Sequence, residues 1–110
     1  EDLARQAARQ RDLLSAGLRA VRRGGRVVYS TCSLEPEENE QVVATVLAEN
    51  DNARQISLEP QIESLRSEGI LTISGSERLL KCLTPEGALR LLPGALPTDG
   101  FFAALIEKNL

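Results

Sequence analysis

Cysteine is the strongest nucleophile among the side chains of this 110-residue chain, and it occurs twice, at Cys32 and Cys82. A thiolate adds to electron-poor carbons, so a cysteine held where ligands gather is a candidate for covalent catalysis. Cys32 lies in the stretch from Arg26 to Val43, RVVYSTCSLEPEENEQVV, which reads as an apolar strand, a Thr31-Cys32-Ser33 turn and an acidic helix start. In open α/β sheets, ligands bind outside the carboxyl ends of the strands, which is where this turn falls. By residue type alone, packing explains either cysteine better, because cysteine is among the most buried residues. Cys82 has nothing around it that argues otherwise, and we assign it to packing. The chain has no histidine, which removes the usual base of a thiol nucleophile and, with two distant cysteines, leaves no zinc-ligand spacing.

The elements that would position Cys32 follow from periodicity. Val27, Val28 and Tyr29 show no polar alternation, which suits a strand covered on both faces, as in a parallel sheet flanked by helices. Before it, Leu3, Ala7, Leu14, Leu18 and Val21 line one side of an amphipathic helix from Asp2 to Arg22. Gly24-Gly25 is expected to stop that helix with a left-handed cap, and its arginines read as a solvated face rather than an RNA contact. After Cys32, Pro36 marks the first turn of a second helix from about Glu35 to Glu49. Its carboxylates, Glu35, Glu37 and Glu38, complement the positive end of the helix dipole. That dipole favours a nearby thiolate by only about 0.3 to 1 kcal/mol, and these carboxylates oppose it, so a group outside this stretch must activate Cys32.

Further along, Arg54 to Leu58 suggests a short strand, Gln61 to Ser67 a turn or two of helix, and Ile70 to Ile73 a strand or anchored loop. Ser74-Gly75-Ser76 reads as a loop. Thr84-Pro85-Glu86-Gly87 has proline and glycine where a type I turn prefers them, so Arg78 to Leu83 and Ala88 to Leu92 are expected to form a hairpin. Pro93 to Gly100 is expected as a loop, and Phe101 to Ile106 as a closing strand.

Composition bounds the function. A net charge of −3 is the wrong sign for a free-standing binder of phosphates, so any grip on nucleic acid lies mostly elsewhere. One tyrosine and two phenylalanines do not make a base-stacking platform. No apolar run is long enough to span a membrane, and the start has no signal-peptide pattern, so a reduced, cytoplasmic setting is the default expectation.

The order of residues around Cys32 reverses the packing argument for that cysteine. Thr31-Cys32, Pro36-Glu37-Glu38-Asn39-Glu40 and the downstream Thr98-Asp99-Gly100-Phe101-Phe102 resemble, in order and approximate spacing, the motifs of the Sun-family (NOL/NOP/Sun) RNA cytosine-5 methyltransferases. The resemblance covers nearly the whole chain and matches the C-terminal part of that family's catalytic domain. It implies an α/β fold, the C-terminal half of a Rossmann-like class I methyltransferase sheet with flanking helices and an antiparallel closing strand pair. It implies transfer of a methyl group from S-adenosylmethionine to carbon 5 of cytosine in rRNA or tRNA, with Cys32 as the nucleophile that adds to carbon 6. Thr31 and Ser33 would meet the substrate, and Asp99 and Gly100 would shape the rim of the site.

The family's glycine-rich cofactor loop, its ribose-binding acid and its Asp-Pro-Pro-Cys type motif do not occur in this chain. Gly24-Gly25 precedes a strand, whereas a nucleotide loop follows one. Leu92-Pro93-Gly94-Ala95 also lacks the histidines that many relatives carry before Thr-Asp-Gly. The expectation is one partial catalytic domain over residues 1–110, carrying the nucleophile but not the cofactor site, inactive alone and meeting RNA through the full-length protein. A non-catalytic RNA-associated or protein-interaction module descended from such an enzyme is the alternative. A cut sheet would leave a free edge and an apolar face, so either a homodimer of the isolated chain through that edge or limited stability is expected.

Overall fold

The structure is a computed structural model and describes residues 2–93 and 100–110. Helix α1 spans Leu3–Ala20. Asp2 caps it, its Oδ1 accepting the Ala4 N–H at 2.9 Å, and Ala7, Leu14 and Leu18 form the buried stripe. The helix ends earlier than the glycines suggested: Val21 is already extended, and the Lys108 Nζ donates to the Val21 carbonyl at 3.0 Å. Gly24 does adopt a positive φ, 80°, but it serves the turn into the next strand. There its N–H donates to the Lys108 carbonyl at 2.7 Å, and the Lys108 N–H donates to the Gly25 carbonyl at 2.9 Å.

Strand β1 is Arg26–Thr31, β2 is Ala53–Ile56, β3 is Leu89–Leu91 and β4 is Phe101–Lys108. Every pairing is antiparallel, and each is made with β4. The sheet order is β1-β4-β2, with β3 beside the N-terminal part of β4 on the edge that β2 shares. The parallel sheet expected around Val27 to Tyr29 is therefore corrected in detail: β1 and β2 run in the same direction, and the antiparallel β4 is inserted between them. The second half of that expectation also changes, because Val28 is 65% exposed and only the Tyr29 face is covered. Among the described residues the outer edge of β1 has no partner strand.

The helix expected from Glu35 to Glu49 is divided. Pro36–Glu38 forms a single 3-10 turn, the chain bends at Asn39, and α2 runs from Glu40 to Ala48. Val42, Val43 and Val46 of α2 join Leu14 and Leu18 of α1 over Tyr29, Phe102, Ala104 and Ile106 to form the core. The Tyr29 and Phe102 rings meet edge to face at 6.4 Å between centroids, a favourable arrangement for aromatic quadrupoles.

Helix α3 spans Glu59–Ser67, as a somewhat longer element than expected. Ile70 to Thr72 form a loop, one of the two readings offered there, and helix α4, Ile73–Leu80, replaces the loop read at Ser74-Gly75-Ser76. Thr72 starts it, its Oγ1 accepting the Gly75 N–H at 2.9 Å, and the buried Ser76 hydroxyl is satisfied by the Ile73 carbonyl. Because α4 takes Arg78 to Leu80, the hairpin loses most of its first arm and keeps only a bridge between Leu83 and Leu89. The turn itself is as read: the Gly87 N–H donates to the Thr84 carbonyl at 2.9 Å, with Gly87 at φ 89°. A mixed α/β layer results, and it presents the C-terminal end of β1 beside the N-terminal end of β4.

Candidate active site

Thr31 is the last residue of β1, and Cys32 follows it with its side chain exposed and unoxidised. The strand is short because the chain turns there, and the turn is closed by side chains rather than by a β-ladder. The Ser33 N–H donates to Thr31 Oγ1 at 3.1 Å, and the Glu35 N–H donates to Ser33 Oγ at 3.0 Å. Such hydroxyl turns give the backbone local partners where the sheet no longer supplies them.

Asn39 reaches back into this turn from the break before α2. It is 1% exposed. Its Oδ1 accepts the Thr31 hydroxyl at 2.5 Å, and its Nδ2 donates to the Ser33 carbonyl at 2.9 Å. The turn is thus clamped on both sides of Cys32. One residue earlier, the Glu38 carbonyl accepts the Tyr29 hydroxyl at 2.6 Å, which ties the 3-10 turn to the middle of β1. Burial, reinforced by the Glu38 charge, pushes the Tyr29 phenol up to about 12.

The other end of the loop is held from β3 and β4. Arg90 of β3 pairs with Glu40 at the start of α2, and its Nη2 lies 3.5 Å from the Leu34 carbonyl. Gly100 is buried with φ 119°, and a Cβ there would stand 2.6 Å from Leu34 Cδ2. Gly100, the residue just before β4, therefore lies against the loop that follows Cys32. Asp99 lies outside the described residues. Glu35 and Glu37 point to solvent, and Cys82 is half-buried, its Sγ 3.4 Å from the Arg78 carbonyl.

Asn39, Arg90 and Glu40 were not singled out from sequence. For Asn39 a local signal exists, an asparagine between a proline-led turn and an apolar helix, but the usual reading of that signal is a cap on its own helix. Arg90 lies fifty positions from Glu40, and nothing local announces the pair.

The chain matches the family described as "16S rRNA methyltransferase RsmB/F" over residues 1–107. It belongs to that family. The ribosomal RNA small subunit methyltransferase F of Aliivibrio salmonicida is 35% identical over 100 residues, which cover 91% of this chain and 18% of that protein. The protein of the same name from Klebsiella pneumoniae is 36% identical, with 94% of this chain and 19% of the relative covered. A solved structure titled as a methyltransferase homolog from Pyrococcus horikoshii superposes with a TM-score of 0.68 at 33% identity, over 99% of this chain and 32% of that one. The chain thus spans about a fifth of the length of the curated relatives it matches. The mixed α/β fold agrees with these methyltransferase relatives and with part of a Rossmann-like fold.

Gly24 and Gly25 pair through their backbone with Lys108, and a Cβ at Gly24 would meet the Leu110 side chain. A cavity of about 550 Å3 lined by Val43, Leu47, Gln55, Thr84 and Phe102 lies behind α2, and Cys32 does not line it. None of the described helices is long and apolar enough to cross a membrane.

Proposed function

We propose that the protein to which this chain belongs methylates carbon 5 of cytosine in ribosomal RNA, and that Cys32 is its nucleophile. The observation that carries the reading is the position of Cys32 in an RsmB/F chain: an exposed thiol at the carboxyl end of β1, in a turn clamped by buried side chains. Carbon 5 of cytosine is too weak a nucleophile to take a methyl group unaided. Addition of the Cys32 thiolate forms a sulfur–carbon bond at carbon 6 and moves the ring's double-bond electrons onto carbon 5. Once carbon 5 is methylated, a base removes its proton, the electrons return to the ring and the sulfur–carbon bond breaks. The thiolate is then free again.

Thr31 and Ser33 serve the substrate through the frame they give the thiol, and Asp99 and Gly100 form the rim. A group outside the stretch around Cys32 assists the thiol, since the carboxylates beside it oppose the thiolate. S-adenosylmethionine, the methyl donor of this reading, is held mainly by residues outside the chain. Residues 1–110 are read as the C-terminal part of the catalytic domain. The shallow groove beside Leu13 and Val28, which are 62% and 65% exposed, suits contact with its remainder. RNA is gripped mainly by those other parts, consistent with a net charge of −3 here, and a cytoplasmic setting keeps the thiol reduced.

The test is methyl transfer from labelled S-adenosylmethionine to small-subunit ribosomal RNA by the full-length protein and by its Cys32→Ala variant. Loss of transfer with donor binding intact is expected. Full activity in the variant would remove Cys32 from the reaction, and the 110-residue chain alone is expected to be inactive.

A further inference from the structure

We propose that Asn39 is a positioning residue for Cys32, acting through Thr31 and the Ser33 backbone; the proposal rests on the reading of Cys32 as nucleophile. An asparagine at the first position of a helix ordinarily turns its side chain onto that helix's own free N–H groups. Asn39 does not. Its backbone carbonyl starts α2 by accepting the Val42 and Val43 N–H groups, while its side chain makes no capping bond and points back across the 3-10 turn. Both of its polar atoms are then used on the residues either side of Cys32.

The network admits one arrangement of protons. Nδ2 is the only donor Asn39 has for the Ser33 carbonyl, so Oδ1 must face Thr31 and the Thr31 hydroxyl must donate to it. That leaves the lone pairs of Thr31 Oγ1 for the Ser33 N–H. Reversing the amide would set two oxygens face to face inside a site that water does not reach, since Asn39 is 1% exposed. Three linked hydrogen bonds therefore hold the turn on both sides of the Cys32 Cα, while the thiol itself stays free. A nucleophile on a turn otherwise gains little fixed direction from a sheet that has ended. The clamp supplies it, using the side chain that makes no cap at the start of α2.

The experiment uses the full-length protein with ribosomal RNA and labelled S-adenosylmethionine, comparing Asn39→Ala, Thr31→Val, the double variant, Thr31→Ser and Cys32→Ala. Asn39→Ala and Thr31→Val should each lower kcat roughly 10- to 100-fold, the cost of a misplaced reacting group. KM for RNA should stay within about twofold, because binding is not what the clamp provides. The double variant should be no slower than the slower single one, and Thr31→Ser, which keeps the hydroxyl, should recover most of the rate. Thr31→Val is close to isosteric and carries the test if Asn39→Ala fails to fold.

Wild-type kcat in folded Asn39→Ala or Thr31→Val, or losses that multiply in the double variant, would overturn the proposal. Cys32→Ala separates the two readings: if it is inactive while the clamp variants run at full rate, only the positioning role falls. If it is fully active, the nucleophile reading falls, and the rate of Cys32 alkylation by iodoacetamide decides positioning by itself. An alkylation rate unchanged by Thr31→Val would then refute the clamp, and a changed one would support it.

Discussion

Replacing Tyr29 by phenylalanine removes one oxygen and leaves the ring in place, so it isolates the bond that anchors the turn before Asn39. The ring is 6% exposed and keeps its edge-to-face contact with Phe102. What is lost is the 2.6 Å hydrogen bond to the Glu38 carbonyl. A buried acceptor without its donor costs about 1 to 2 kcal/mol, which is the expected destabilisation at neutral pH. The sign changes with alkali. Because the folded-state phenol is raised to about 12 from 10.0, its contribution is fully present below pH 10 and is lost as the pH rises through 12. Two pKa units correspond to about 2 to 3 kcal/mol, so the Tyr29→Phe deficit should shrink and vanish as the pH climbs through that window. Urea unfolding of both chains at stepped pH reads the difference, in which the titration of lysines cancels. Tyr29 is the only tyrosine, so ultraviolet titration of tyrosinate reads its ionisation directly. An ordinary midpoint near 10 in the folded chain, or equal stability of the two chains at neutral pH, would refute the argument.

Gly100→Ala should destabilise by about 1 to 3 kcal/mol in thermal or urea unfolding, because φ 119° disfavours any side chain and the added Cβ meets Leu34 Cδ2 at 2.6 Å. Glu107 sits on β4 between Arg54 of β2 and Arg26 of β1, and their bonds, Arg54 first, hold its carboxyl below the usual carboxylate range. A lowered value means stability present above the ordinary carboxylate pKa and lost as the pH falls through the folded value; acid unfolding of Glu107→Gln should lack that step. The isolated chain should self-associate through the free edge of β1 and the exposed Val28 and Leu13. Sedimentation across a concentration series would show this, and a monomer throughout would refute it.

The strand-turn-helix unit around Cys32 was legible because each part had a local cause: an apolar run, hydroxyl residues at a turn, and a proline followed by acids. Where the reading failed, the cause was not local. An apolar run such as Val27 to Tyr29 looks alike in a parallel and an antiparallel sheet, and only the insertion of β4 between β1 and β2 decides the neighbours. The α4 helix was hidden by Ser74-Gly75-Ser76, a loop by composition, which Thr72 nevertheless caps into a helix with Ser76 buried beneath it. The same override of local preference by local capping removed one arm of the expected hairpin.

The site shows the limit more sharply. Pro36-Glu37-Glu38 has every mark of a first helical turn, and a helix continued through Asn39 would satisfy both the dipole and the apolar stripe of Val42, Val43 and Val46. The chain instead breaks there, and no propensity explains why. Two partners for the Asn39 side chain lie at the end of β1, the Thr31 hydroxyl eight residues back and the Ser33 carbonyl six residues back, both partly buried. Asn39 spends its side chain on these two groups rather than on a cap, and α2 starts at Glu40.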